Sequence, residues 1–195
     1  LKELDNYIEA RRKVADHYDQ FFSKSMTKVL KPDQIKEAAK IIAKGGLVAF
    51  PTETVYGLGA DALNPQAIQK IFKAKGRPAD KPLIIHVADK KDVSKLAKEI
   101  PESAKKLMGL WPGPLTIIFK KSKVVPPEVT AGGDTVAIRM PKNKIALDLI
   151  KESDTPIAAP SANLYGKSSP NSVEDVLRNL RGKIDAVIDG GKTKI

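Results

Sequence analysis

Six short apolar runs set the frame of this chain: LVAF at 47–50, LIIHV at 83–87, LTIIF at 115–119, TVAIRM at 135–140, PIAAP at 156–160 and DAVID at 185–189. Segments with helical spacing separate them. One runs from Pro32 to about Lys44 and ends at Gly45; others cover Pro65–Lys75, 92–110 with a break near Pro101, 143–152 and 172–181. Apolar strands alternating with helices predict an α/β sheet covered on both faces. In such sheets ligands bind at the loops leaving strand carboxyl ends. No run approaches the roughly 18 apolar residues of a membrane span, and no apolar h-region follows a basic start, so neither a membrane segment nor a signal peptide is expected.

The 195 residues suit one domain with a small appendage. In residues 1–22 the side chains Leu4, Ile8, Ala15, Tyr18 and Phe22 recur at helical spacing, which predicts an amphipathic helix; SKSMTK then reads as a linker. Residues 1–25 are therefore expected to be an extension and 26–195 the main domain. The absence of cysteine excludes disulfides, thiol nucleophiles and cysteine zinc sites and fits a reducing, cytoplasmic setting. With His17 and His86 alone, a multi-histidine metal centre is not expected, and no protein metal ligands are assigned. The net charge is +11, and residues 1–25 balance five basic against five acidic groups, so the whole excess lies in 26–195. A basic body favours nucleotides, nucleic acid or phosphates.

Four clusters carry groups able to do chemistry. FPTETVYGLG, Phe50–Gly59, crowds two threonines, a glutamate, a tyrosine and two glycines between a strand and a helix. Its Gly57, Gly59 and Ala62 formally match a dinucleotide fingerprint, but PTETVY intervenes where a tight turn belongs. GGKT at 190–193 fails as a P-loop because Ala186 stands where the first glycine is required. In KAKGRPADKPLIIH, Lys75 and Arg77 lie two apart before an apolar strand, as a pair that neutralises polyphosphate would, or as part of a solvated charged loop. His86 interrupts LIIHV, where a strand histidine is either a hydrogen-bonded core group or a functional one. Arg139 interrupts TVAIRM, and a charge there must be paired internally or bind an anion. In APSANLYGKSSPNSVEDV the residues Ser161, Asn163, Ser168 and Ser169 precede a helix, with Asn171 and Glu174 spaced as a cap. No Ser-His-Asp triad can be assembled.

Taken in order, PTETVYGLG, Lys75-x-Arg77 with RPxxKPL and His86, WPGPLT, AIRxP and Ser161-x-Asn163 resemble the YrdC-like family of threonylcarbamoyl-AMP synthases over about residues 28–191. The resemblance implies a twisted mixed α/β sheet with flanking helices around a large basic cavity. It also implies a nucleotidyltransferase that joins L-threonine, bicarbonate or CO2, and ATP, with Mg2+, into threonylcarbamoyl-AMP and pyrophosphate. A downstream threonylcarbamoyl transferase would then modify tRNA, so tRNA or double-stranded RNA is an implied partner. Carried over residue by residue, Thr52, Thr54, Tyr56, His86, Arg139 and Ala159 would bind threonine, with Gly57 and Gly59 allowing close backbone approach. Lys75 and Arg77 would be catalytic and meet the ATP phosphates beside Lys81, and Thr135, Ser161, Asn163 and Ser169 would hold the nucleotide.

Two departures modify this expectation. Family members continue past DGG with a Pro-Thr-like turn and a Ser-Thr segment, whereas this sequence reads DGGKTKI, which is read as a truncated chain lacking those contacts. Position 81 is Lys where many relatives carry Asn. The competing readings are a carbamoyl-adenylate-forming relative, which needs no L-threonine, and an RNA- or nucleotide-binding module without chemistry. Few aromatics, 5% of residues, weigh against a base-stacking platform.

Overall fold

The computed structural model describes residues 26–194; the helix expected over 1–22 lies outside the described residues. Eight strands form one mixed sheet in the order β1-β8-β2-β3-β7-β4-β6-β5. They are β1 Lys28–Leu30, β2 Val48–Pro51, β3 Tyr56–Asp61, β4 Ile84–His86, β5 Thr116–Lys120, β6 Thr135–Arg139, β7 Ile157–Ala158 and β8 Ala186–Ile188. The helices are α1 Ile35–Ala43, α2 Pro65–Lys75, α3 Val93–Leu96, α4 Glu102–Met108, α5 Pro127–Thr130, α6 Lys144–Glu152 and α7 Val173–Leu180.

The period of two in the strands divides the core. On one face Val48, Phe50, Ile157, Ala186 and Ile188 pack with Ile35, Ala38 and Ile42 of α1 and Ala146 and Leu149 of α6. On the other, Ala49, Tyr56, Leu58, Ala60 and Val187 pack with Ile68, Ile71 and Phe72 of α2 and Val173, Val176 and Leu180 of α7. Coverage is incomplete at one edge: in β5, Ile117 and Phe119 are buried but Ile118 is 68% exposed.

Within residues 26–194 the expected strands and helices are present, with ends shifted by up to about four residues. Two elements without a clear periodic signal, β1 (KVL) and α5 (PEVT), also form. The main correction concerns Phe50–Gly59, read from sequence as a strand-to-helix connection. It is a hairpin. β2 pairs antiparallel with β3 in the register Pro51↔Tyr56, Phe50↔Gly57, Ala49↔Leu58 and Val48↔Gly59. Thr52 closes the turn: its Oγ1 donates to the Val55 carbonyl at 2.7 Å and accepts from the Thr54 and Val55 amides, each at 3.2 Å. This local hydroxyl-to-backbone closure is how threonine stabilises a turn.

Glycine in β3 answers to packing. A Cβ on Gly59 would lie 2.7 Å from Phe50 and 2.8 Å from Ile157, both core side chains. Gly76, at φ +59, adopts the left-handed conformation that ends α2 and turns the chain into Arg77. The helix cap expected at Asn171 sits one residue later: Ser172 Oγ accepts from the Asp175 amide at 3.3 Å. The expected outcome for Gly59→Ala is a loss of about 1–3 kcal/mol through overpacking, read as a lower denaturant midpoint at unchanged slope.

Candidate functional site

Strand direction determines how the site is assembled. β3 is antiparallel to both β2 and β7, and β4 is antiparallel to β7 and parallel to β6. Thus β2 and β7 run one way and β4 and β6 the other. Thr52 follows β2, Ala159 and Ser161 follow β7, but His86 and Arg139 end β4 and β6. The candidate residues therefore do not share one carboxyl edge, as the sequence reading expects. They approach from both ends of the sheet, and long side chains close the gap.

Arg139 does so directly. Its Nη2 donates to Glu53 Oε1 at 2.7 Å and to Thr54 Oγ1 at 3.3 Å, joining the end of β6 to the β2–β3 turn. Sequence reasoning left Arg139 open between an internal ion pair and an anionic ligand, and it did not single out Glu53. The signal was present in TET, an acid held between two turn-forming threonines. His86 is the register partner of Arg139 across the parallel β4–β6 pair. Burial, reinforced by the Arg139 charge, pushes its imidazole down to about 3, so it is neutral at physiological pH. Its Nδ1 is buried without a hydrogen-bond partner.

Lys75 and Arg77 form a second cationic centre. The Lys75 side chain is 2% exposed, and its Nζ donates to the carbonyls of Ser161 and Asn163. The end of α2 is thereby tied to the loop after β7. Desolvation, and then repulsion from Arg77, push the Lys75 ammonium down to about 8. Arg77 donates from Nη2 to the Pro82 carbonyl at 3.1 Å and lies 5.9 Å over the Tyr165 ring. Its Nε is buried and unpartnered, and among the described residues no carboxylate pairs with it. Asn163 donates from Nδ2 to the Leu164 and Lys167 carbonyls, each at 2.8 Å, leaving Oδ1 buried and free.

The two centres are joined along β3. The Tyr56 amide donates to the Pro170 carbonyl, the Ala162 amide to the Tyr56 carbonyl and the Leu58 amide to the Pro160 carbonyl, all at 2.8–2.9 Å. Ala159 packs beside Gly57 and donates its amide to Ile84 in β4 at 2.9 Å. Thr135 and Ser169 are exposed, and Lys81 is half-exposed near Asp80 at 3.8 Å. Tyr56 is fully buried. Its hydroxyl donates to the Gly191 carbonyl at 2.7 Å and accepts from the Gly190 amide at 3.2 Å. Burial pushes the phenol up to about 12. A cavity of about 300 Å³ is lined by Thr52, Glu53, Lys142, Lys192 and Lys194, among others.

A family model described as "Telomere recombination", which groups Sua5, YciO and YrdC proteins, matches residues 40–195. The chain belongs to the Sua5/YciO/YrdC family. Among curated relatives, the "Threonylcarbamoyl-AMP synthase" of Pyrococcus abyssi is 58% identical over 163 residues, covering 83% of this chain and 48% of that protein. The protein of the same name from Bacillus subtilis is 54% identical, covering 83% and 47%. The chain thus spans about half the length of the curated relatives it matches. Among solved structures, P. abyssi Sua5 complexed with L-threonine superposes with a TM-score of 0.84 at 54% identity, covering 87% of this chain and 52% of that one. The Sua5/YciO/YrdC fold is therefore that of the expected twisted mixed sheet with flanking helices. No helix among the described residues is long and apolar enough to cross a membrane.

Two outcomes follow from the buried groups. His86 is neutral in the fold but protonates in the unfolded chain below its ordinary 6.5. Acidification from pH 6.5 towards 3 should therefore remove stability, at up to roughly 1 kcal/mol per pH unit from this group, and thermal melts of His86→Asn should show a shallower acid slope. Tyr56→Phe removes the two hydrogen bonds to Gly190 and Gly191 and should cost about 1–3 kcal/mol, with faster amide exchange confined first to 189–194.

Proposed function

We propose that this chain forms threonylcarbamoyl-AMP and pyrophosphate from L-threonine, bicarbonate or CO2, and ATP. The observation that carries the reading is the pairing of two cationic centres of different character through β3. At Arg77 a guanidinium keeps a buried, unpartnered Nε and has no carboxylate among the described residues. At Arg139 a guanidinium lies beside a neutral imidazole and a hydroxyl-lined turn. The first suits a polyphosphate and the second an amino acid. The curated name shared by the P. abyssi and B. subtilis relatives, and the L-threonine complex of P. abyssi Sua5, support the same assignment.

In this reading residues 26–195 are the catalytic domain and 1–25 an extension outside it. Arg139 takes the threonine carboxylate. His86, Thr52, Thr54, Tyr56 and Ala159 shape the rest of the amino-acid pocket. Ser161, Asn163, Ser169, Thr135 and Lys81 hold the nucleotide. The amine attacks CO2 to give a carbamate, a carbamate oxygen attacks the α-phosphorus, and the α–β phosphoanhydride bond breaks to release pyrophosphate. Positioning and charge stabilisation by Arg77, with Lys75 beneath the loop, carry the catalysis. Among the described residues no group of three or more His, Cys, Asp or Glu could hold a metal ion. Mg2+ therefore fits this site as a companion of the ATP phosphates, where it would neutralise charge, rather than in a protein cage. In this reading the basic body would favour the tRNA that a downstream threonylcarbamoyl transferase modifies, and the protein would act in the cytoplasm.

The test is incubation with ATP, Mg2+, bicarbonate and labelled L-threonine, followed by separation of products. Threonylcarbamoyl-AMP with equal pyrophosphate is the expected result; Arg77→Ala should lower the rate by roughly 100-fold or more with melting behaviour retained, and Arg139→Ala should lower it similarly but with a lower melting temperature, because it leaves the mostly buried Glu53 carboxylate unpaired. ATP turnover that does not need L-threonine would assign a carbamoyl-adenylate-forming activity instead. RNA binding that weakens steeply with salt, without any turnover, would reduce the protein to a binding module.

A further inference from the structure

Glu53 and Arg139 form an incomplete pair. Their side chains are only 16% and 12% exposed, and one bond of 2.7 Å joins Oε1 to Nη2. Glu53 Oε2 and Arg139 Nε remain buried without partners. A buried ion pair kept for stability is expected to satisfy its remaining lone pairs and protons, because each orphaned charged-group atom is costly to desolvate. Here one acceptor on an anion and one donor on a cation are left over at neighbouring positions. The turn that carries Glu53 is itself rigid, closed by Thr52 and bonded to Arg139 through Thr54.

An α-amino acid presents the complementary couple, a carboxylate and an ammonium on one carbon. We propose that Glu53 receives the substrate's amino group and takes its first proton, while Arg139 holds the carboxylate. This rests on the reading of Arg139 as the amino-acid site. The ammonium would donate to Oε2 and pass one proton to the Glu53 carboxylate. The freed nitrogen lone pair then forms the N–C bond to CO2 as one C=O π pair moves onto oxygen. The second nitrogen proton leaves to water, giving the carbamate. The proton on Glu53 returns to solvent before the next turnover. Glu53 would thus couple selection for an amine to activation of that amine, in a position where its charge is already balanced by Arg139.

Calorimetric titration of the chain with L-threonine and with 3-hydroxybutyrate, which keeps the carboxylate and β-hydroxyl but lacks the amine, tests this. The parent should prefer L-threonine by roughly tenfold or more, as a charge-assisted hydrogen bond implies. Glu53→Gln should lose most of that preference while binding 3-hydroxybutyrate within about twofold of the parent. Glu53→Asp should restore part of it. Product formation by Glu53→Gln should climb with pH as solvent supplies the free amine, beyond the pH at which the parent levels off. Equal parental affinity for both ligands would overturn the role of Glu53 without any substitution. So would L-threonine binding by Glu53→Gln as tight as, or tighter than, the parent's, since Glu53 would then merely compete for Arg139. Parental binding of neither ligand would overturn the amino-acid reading of Arg139 itself.

Discussion

A buried ammonium organises this site. Lys75 at the last turn of α2 has almost no contact with solvent, and its Nζ is held by the carbonyls of Ser161 and Asn163. An ammonium in such a place is tolerated only when its donors are satisfied. Here two backbone carbonyls take two of its three donors without cancelling the charge. The consequence is double. The loop after β7 is fixed against the end of α2, reinforced by the Tyr165 amide donating to the Lys75 carbonyl at 2.9 Å. Arg77, two residues on past Gly76, is held near a like charge, so a polyanion arriving there meets a preorganised positive field.

The reversal at Thr52–Val55 is the second constraint. Because β3 runs back between β2 and β7, the ends of β4 and β6 face away from the ends of β2 and β7. A short side chain at the end of β6 could not link the two sets; arginine at 139 can. The same reversal explains the glycines. Gly59 lies against Phe50 and Ile157, so the alternation of glycine with Tyr56, Leu58 and Ala60 gives β3 one large-residue face and one bare face. Tyr56 in turn fastens the strand to Gly190 and Gly191, so the chain near its last described residues is part of the same hydrogen-bonded unit.

Much of this was legible in the sequence wherever a period was clean. The apolar runs and the helices with Pro starts and Gly stops appear where periodicity and caps predict them, because burial on two faces and helix-end chemistry are local signals. The hairpin was not legible, because YGLGAD combines a period of two with glycines that usually mark loops, and the reason for Gly59 is its close packing on Phe50 and the long-range neighbour Ile157. The cap at Ser172 rather than Asn171 shows the same limit at smaller scale, since adjacent capping residues compete and tertiary packing selects between them. In the site, residue types revealed which groups carry charge, but not which carbonyls or carboxylates they face. The carbonyl partners of Lys75 lie 86 and 88 residues further on, and nothing local marks Glu53 as the partner of Arg139, 86 residues away.

The two arginines then differ in a way that bears on order and selectivity. Arg139 is paired internally with Glu53, so this guanidinium acts chiefly through its hydrogen-bond pattern. Arg77, beside Lys75, has no such counter-ion among the described residues, so that end attracts anions at a distance and selects weakly among them. A field acts before contact, whereas a hydrogen-bond pattern acts only on contact. In the proposed reaction such an arrangement would recruit a polyphosphate by charge and leave discrimination to the small zwitterionic substrate, whose few polar groups would each need a buried partner. In the proposed reaction the orphaned atoms of Arg139, Glu53 and His86 would supply those partners, and their desolvation cost is what a wrong amino acid would leave unrelieved.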